Sequence, residues 1–171
     1  MLENCKNARE RWGGVSIIID QWLDERAELI RILLEIPHTQ VGKELDDRLS
    51  EFCQLLVDYL SSGHFEVYQQ LVAEGEAFSD SQLAEAQALL PKIQTSTDLA
   101  LDFNDRFSDL PAATVEDVRY FSEQVSKLGE ALADRFELED QMIAMLHETH
   151  REAVTQNPVA LSARDPQISP R

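Results

Sequence analysis

The sequence predicts an all-α fold: an antiparallel helical bundle of four main helices, with shorter helices between them. Apolar residues recur at three- and four-residue intervals along most of the chain, as on the buried face of an amphipathic helix. No stretch alternates apolar and polar residues as a half-buried strand does. Only six glycines and six prolines occur in 171 residues, and three of the prolines fall in the last fourteen. The body of the chain therefore has few turn signals.

The first helix is predicted over about residues 3–36, with a possible break at Gly13-Gly14. Pro37 ends it, because proline cannot continue a helix and disfavours helical geometry in the preceding residue. Its apolar positions follow the three-and-four spacing and are Val15, Ile18, Trp22, Leu29 and Leu33.

The second helix is predicted over about residues 43–61. Gly63 is expected to interrupt it, and a shorter helix should follow over about 65–74. The packing face of the second helix steps by four, three, four and three residues through Leu45, Leu49, Phe52, Leu56 and Tyr59.

The next helix can be capped by Ser79-Asp80. Pro91 is expected either to kink this helix or to separate it from a following helix that ends near Phe107. These segments supply the third main helix of the bundle.

The last helix is predicted to be unusually long, from a start resembling a capping box at Thr114 and Asp117 to about His150. Residues 1–153 are thus expected to form a single domain. Residues 154–171 contain no aromatic residue and no periodicity, so we expect a disordered tail. The packing face of the last helix runs through Val118, Phe121, Val125, Leu128 and Leu132.

The chain is strongly acidic, with a net charge of −17. Phosphates bind Lys and Arg, so such a surface repels nucleic acid, and it also repels anionic membrane surfaces. It attracts a basic partner. The alternative interpretation is that the negative charge only keeps the protein soluble. Residues 44–85 hold ten acidic side chains and one basic one, Arg48. The centre of negative charge should therefore lie on the second helix and the segment after it.

The sequence indicates a cytoplasmic protein. The longest apolar run is five residues, Met142–Leu146, which is too short for a signal peptide or a membrane span. Cys5 and Cys53 lack metal-ligand spacing and are expected to be reduced thiols.

Metal sites and cofactors are not expected. A di-iron bundle needs two Glu-x-x-His pairs, and the only such pair, Glu35 and His38, has Pro37 inside it. His147 and His150 lack a third ligand, so solvent exposure near a helix end is the better interpretation.

Enzymatic motifs are also absent, so we expect no catalytic residues. Histidine phosphotransfer needs an exposed His in mid-helix, whereas His38 follows a proline and His64 follows Gly63. No nucleophile elbow or Gly-rich phosphate loop occurs.

One face of the second helix is a candidate binding surface. Glu51, Leu55, Asp58 and Ser62 share a strip next to the packing face. Asp58 lies among apolar residues, so it is either exposed on this strip or partly buried and in need of a donor. We expect the neighbouring aromatic residues to lie in the core more often than at an interface. These residues are Phe52, Tyr59 and Phe65.

Three blocks of the sequence resemble the regulator-of-sigma-D proteins, the Rsd/AlgQ family. They are IIDQWLDERAELI (18–30), FCQLLVDYLSSGHFEVY (52–68) and LGEALADRFELEDQMI (128–143). The opening MLENCKNARERWGG is similar to the AlgQ branch. The resemblance covers about residues 1–150, is loose over about 76–112, and does not extend to the tail.

This resemblance implies an anti-sigma factor that is all-helical and not an enzyme. Such proteins bind the primary sigma factor of RNA polymerase, mainly through its C-terminal domain, which reads the −35 element with a basic helix-turn-helix. They keep sigma from core polymerase and promoter DNA as growth slows towards stationary phase. The match places Asp58 on the sigma-binding surface. The alternative is an acidic helical adaptor for another regulatory protein or a stress-metabolism enzyme.

Overall fold

The protein folds as a helical bundle, seen here in a computed structural model. The structure describes the backbone of residues 2–78, 82–108 and 115–148, and the side chains within 17–76, 82–108 and 119–146. Within these ranges the α-helices are α1 (Leu2–Glu35), α2 (Lys43–Ser62), α3 (Tyr68–Phe78), α4 (Leu83–Gln87), α5 (Leu90–Phe107) and α6 (Val115–Ile143). A 3-10 turn (Ile36–His38) follows α1, and π-helical turns follow α2 (Gly63–Val67) and α6 (Ala144–Glu148).

Neighbouring helices are antiparallel, because residues early in one helix contact residues late in the next. From α1 to α2, Trp22 donates to the Tyr59 carbonyl at 3.1 Å, while Arg48 lies 3.6 Å from Glu35. The same reversal joins α2 to α5, α5 to α6, and α6 back to α1. The predicted antiparallel bundle of four main helices is confirmed, with α1, α2, α5 and α6 as those helices.

Aromatic rings fill the centre of the bundle. Trp22 stacks on Tyr59 with ring centroids 4.9 Å apart, and Phe52 meets Phe103 edge to face at 6.0 Å. Phe107 and Phe121 close the end where α5 meets α6, at 5.3 Å. Each of these pairs adds about 0.5–1.5 kcal/mol beyond the burial of its area.

The predicted break at Gly13-Gly14 is wrong, and at Gly63 the α-helix ends as predicted but passes directly into a π-helical turn. Helix α1 runs unbroken through Gly13-Gly14. Gly63 has helical backbone angles, φ −58° and ψ −57°, and the chain stays helical from Lys43 to Phe78. A Cβ at Gly63 would lie 3.0 Å from the Tyr68 hydroxyl and 3.2 Å from Trp22, so the glycine permits close packing and does not break the helix.

Proline behaved as predicted at both inner positions. Pro37 ends α1, since the 3-10 turn begins at Ile36, and Pro91 lies in the first turn of α5, where a missing N–H costs nothing. The predicted caps at Ser79-Asp80 and Thr114 lie outside the described residues, as do His150 and residues 154–171.

Candidate partner-binding surface

The strip predicted on α2 exists as one face of that helix. Glu51 and Asp58 are exposed, and Leu55 and Ser62 are half-buried. Because Leu56, Tyr59 and Leu60 are buried against the rest of the bundle, the helix cannot rotate this face away from solvent. Of the two possibilities for Asp58, the structure therefore has the exposed one.

The acidic residues on this face differ in their partners. Arg48 lies 3.0 Å from Glu51 and 3.6 Å from Glu35, so Glu51 has a cation beside it. Asp58 forms no ion pair with any described residue. Its carboxylate is therefore the negative charge on the strip that remains available to a partner.

Glu25 interacts electrostatically with both Asp58 and Glu66, and the sequence did not indicate this grouping. Glu25 comes from α1 and Glu66 from the π-helical turn after α2. Burial raises the pKa of Glu25, and the negative charges of Asp58 and Glu66 raise it further. Glu25 Oε2 is buried without a hydrogen-bond partner among the described residues. This end of the strip is thus more negative than Asp58 alone would make it.

Beneath the strip lies a buried polar cluster centred on the carboxylate of Glu139, which is fully buried. Oε2 accepts hydrogen bonds from Arg26 at 3.0 Å and from the Tyr59 hydroxyl. Oε1 accepts from Arg135 at 2.7 Å and from the Tyr68 hydroxyl at 2.5 Å. Four donors therefore converge on one carboxylate, which is how a buried charge becomes tolerable.

Arg135 is also fully buried and extends the cluster to α5. Its guanidinium donates to Thr97 Oγ1 at 2.7 Å, Ser96 Oγ at 3.1 Å and the Tyr68 hydroxyl at 2.8 Å. Thr97 in turn lies 2.8 Å from His64 Nε2. Burial lowers the pKa of His64, and the positive charge of Arg135 lowers it further.

The two tyrosines of the cluster are held as neutral donors. Burial raises the pKa of Tyr59, as does the neighbouring Glu139 carboxylate, and the same two causes raise the pKa of Tyr68. Tyr59 is the residue next to Asp58. The helix that presents Asp58 is therefore tied from below to α1 and α6 by a fixed set of hydrogen bonds.

Possible metal ligands and the Cys53 thiol are among the described side chains. Among the described residues, no group of three His, Cys, Asp or Glu side chains could hold a metal ion. The thiol of Cys53 is buried, which raises its pKa to about 12. The described part of the chain also contains no helix with the length and apolar character of a membrane span.

Phe65 is the one predicted core aromatic that the structure places elsewhere. Phe52 and Tyr59 are buried as expected, but 71% of Phe65 is exposed. Phe65 lies in the π-helical turn Gly63–Val67, seven residues after the exposed Asp58, so it continues the exposed side of α2, whereas Val67 and Tyr68 are buried.

Comparison with known proteins agrees over most of the chain. Residues 1–147 match the family described as "Regulator of RNA polymerase sigma(70) subunit, Rsd/AlgQ". A protein of Enterobacter sp. strain 638 named "Regulator of sigma D" is 37% identical over 169 residues, 95% of this chain and 100% of the relative. Its namesake from Salmonella paratyphi A is 37% identical over 152 residues, covering 85% and 91% of the two chains. No match to a solved structure was found. The chain thus belongs to the Rsd/AlgQ family of regulators of the RNA polymerase sigma(70) subunit.

Proposed function

We propose that this protein binds the primary sigma factor through the α2 strip of Glu51, Leu55, Asp58 and Ser62, mainly at the C-terminal domain of sigma. That domain reads the −35 element with a basic helix-turn-helix. A protein that covers it keeps sigma from promoter DNA and from core polymerase, and so acts as an anti-sigma factor without touching nucleic acid.

The observation that carries the proposal is the state of Asp58. Its carboxylate is exposed, forms no ion pair with any described residue, and is close enough to Glu25 to raise the pKa of that carboxyl. Side chains that bind DNA phosphates are Arg and Lys, and these also form charge-assisted hydrogen bonds with carboxylates. The net charge of −17 speeds the approach of such a partner and opposes binding to DNA.

The remaining parts of the proposal follow from this function. The complex contains one copy of each protein, the protein acts in the cytoplasm, and it performs no catalysis. Residues 1–153 act as the single binding domain, and residues 154–171 take no part in the binding.

The test is the affinity of Asp58→Ala for the primary sigma factor. Truncating one partner of a largely desolvated charge pair costs about 2–5 kcal/mol, or roughly thirty- to several-thousand-fold in Kd. Asp47→Ala is the matched control, because it removes the same charge three turns away on α2. Asp47 is exposed and already paired with Lys43 at 2.8 Å, so its loss should cost under about 1 kcal/mol.

The melting temperature of Asp58→Ala distinguishes binding from folding. Asp58 raises the pKa of Glu25 by repulsion and forms no ion pair with a described residue, so its removal should not lower the melting temperature. Equal losses of affinity in the Asp58 and Asp47 variants would show that only the overall field matters. Normal affinity with early melting would make Asp58 a structural residue and reject the proposed site.

A further inference from the structure

A groove separates the end of α2 and its π-helical turn from α5. It has a volume of about 410 Å³ and is lined by, among others, Val57, Ser61, Phe65, Gln94 and Leu101. Phe65 is the most exposed large apolar side chain in the described part of the chain, at 71%, and Leu101 is 41% exposed. An aromatic ring left in water beside an open apolar groove is a feature of surfaces that bind another molecule.

The groove is continuous with the face that carries Asp58. Phe65 follows Asp58 by seven residues, two helical turns, so the two side chains leave the same side of one continuous helix about 10 Å apart. Val57, just before Asp58, and Ser61, between Asp58 and Phe65, both line the groove. A straight partner helix that covers Asp58 can therefore also contact the groove, since both lie on the same side of the protein.

Charge defines the chemistry of the occupant. The segments that line the groove, residues 57–69 and 94–101, contain two acidic residues and one acidic residue, respectively, and no Lys or Arg. All three of these side chains, Asp58, Glu66 and Asp98, are exposed. An apolar groove between acidic rims is complementary to an amphipathic helix with Lys or Arg on either side of a bulky apolar residue.

The floor of the groove is already ordered. His64 and Thr97, both part of the lining, are 2.8 Å apart, and Thr97 accepts a hydrogen bond from the buried Arg135. A side chain that enters the groove thus meets a formed wall and floor, and little ordering of this protein opposes its binding.

We propose that the groove holds a bulky apolar side chain from a basic amphipathic helix of the same partner that binds Asp58, with Phe65 as the second anchor of the interface. The inference rests on the proposed function, because the partner is the primary sigma factor. The basic side chain that meets Asp58 and the apolar side chain that meets Phe65 lie about two turns, or 10 Å, apart on the partner.

The test compares Phe65→Ala with Leu34→Ala, using the full chain and full-length primary sigma factor. Leu34 is the matched control, since it is an apolar side chain of similar exposure, 66%, on α1, outside the groove. Phe65→Ala should raise Kd about tenfold or more, as truncation of an aromatic anchor does, and Leu34→Ala less than about twofold. Neither variant should change the melting temperature appreciably, because both side chains are mostly in water.

Salt separates the two anchors. Raising the salt from about 0.1 M to about 1 M shortens the screening length from about 10 Å to about 3 Å. The Kd ratio of Asp58→Ala to wild type should therefore shrink with salt, by less than for a fully exposed pair because a desolvated pair is screened less. The Kd ratio of Phe65→Ala should not change.

Each outcome has a separate meaning. Loss of affinity in Asp58→Ala with an unchanged Kd in Phe65→Ala overturns the inference and leaves the proposed function standing. Equal losses in the Phe65 and Leu34 variants also overturn it, because the effect would not be local to the groove. Unchanged affinity in all three variants, or no sigma binding by the wild type, rejects the proposed function itself.

Discussion

Replacing Glu139 by Gln tests whether the buried polar cluster stabilises the fold. The substitution keeps the shape of the side chain and removes the fully buried negative charge that pairs with both Arg26 and Arg135. The amide NH2 group, itself a donor, would then face hydrogen-bond donors where a carboxylate oxygen of Glu139 accepted from them. Breaking a buried ion pair on one side costs about 3–5 kcal/mol, because the remaining charge stays buried without compensation. Arg135, with no exposed surface, is the residue left in that state.

Urea unfolding followed by circular dichroism measures this cost. With a slope of about 2 kcal/mol/M, the midpoint should fall by roughly 1.5–2.5 M with the slope unchanged. Asp140→Asn is the control, since Asp140 contacts the same Arg26 at 2.6 Å but its side chain is 63% exposed. That loss should stay under about 1 kcal/mol.

A loss of less than about 1 kcal/mol in Glu139→Gln would refute the reasoning, because a charge that is removed so cheaply cannot be holding two guanidinium groups in the core. The double variant Glu139→Gln with Arg135→Met provides a second check. Its destabilisation should be smaller than the sum of the two single losses, since each single variant strands the other residue's charge.

Two further predictions concern single positions. Gly63→Ala should destabilise the fold by about 1–3 kcal/mol because its Cβ would lie 3.0 Å from the Tyr68 hydroxyl, whereas Gly129→Ala, with no atom nearer than 3.8 Å, should stabilise its helix by about 0.5–1 kcal/mol; opposite signs in thermal unfolding check this, and equal effects contradict it. Glu25→Gln should raise the melting temperature at about pH 7 and leave it unchanged at about pH 4. The raised pKa of Glu25 means that the folded state binds its proton more tightly, so wild-type stability falls as pH rises through that pKa; a gain equal at both pH values contradicts the repulsion from Asp58.

The bundle could be predicted because its determinants are local. Pro37 and Pro91 mark helix ends by covalent geometry, and the three-and-four spacing of buried residues along α2 and α6 identifies their packing faces. Asp58 could be placed on a surface strip for the same reason, since its position relative to that spacing is fixed by the helical period.

The packing role of Gly63 could not be predicted in this way. Glycine commonly ends helices, and the reason that it occurs inside one is the close approach of the Trp22 and Tyr68 side chains, which the sequence pattern does not show. The exposure of Phe65 does follow from the helical period, because Phe65 comes three residues after Ser62 on the same strip; its aromatic character favoured the core instead. The proximity of Glu25 to Asp58 is a consequence of how α1 packs on α2.

The buried polar cluster did leave a signal in the sequence. The packing face of α6 steps through Leu128 and Leu132, and its next positions at the same spacing are Arg135, Glu139 and Met142. An Arg and a Glu at core positions four residues apart indicate a buried pair, because neither is normally found inside without a partner.

The backbone is helical from Lys43 to Phe78, which fixes the separation of Asp58 and Phe65. This separation does not adapt to different partners, so any conformational adjustment on binding occurs in the partner, which loses the corresponding entropy. Selectivity between related helices then depends on spacing. A partner helix whose basic and bulky residues are one turn too close or too far apart can contact Asp58 or Phe65, but not both.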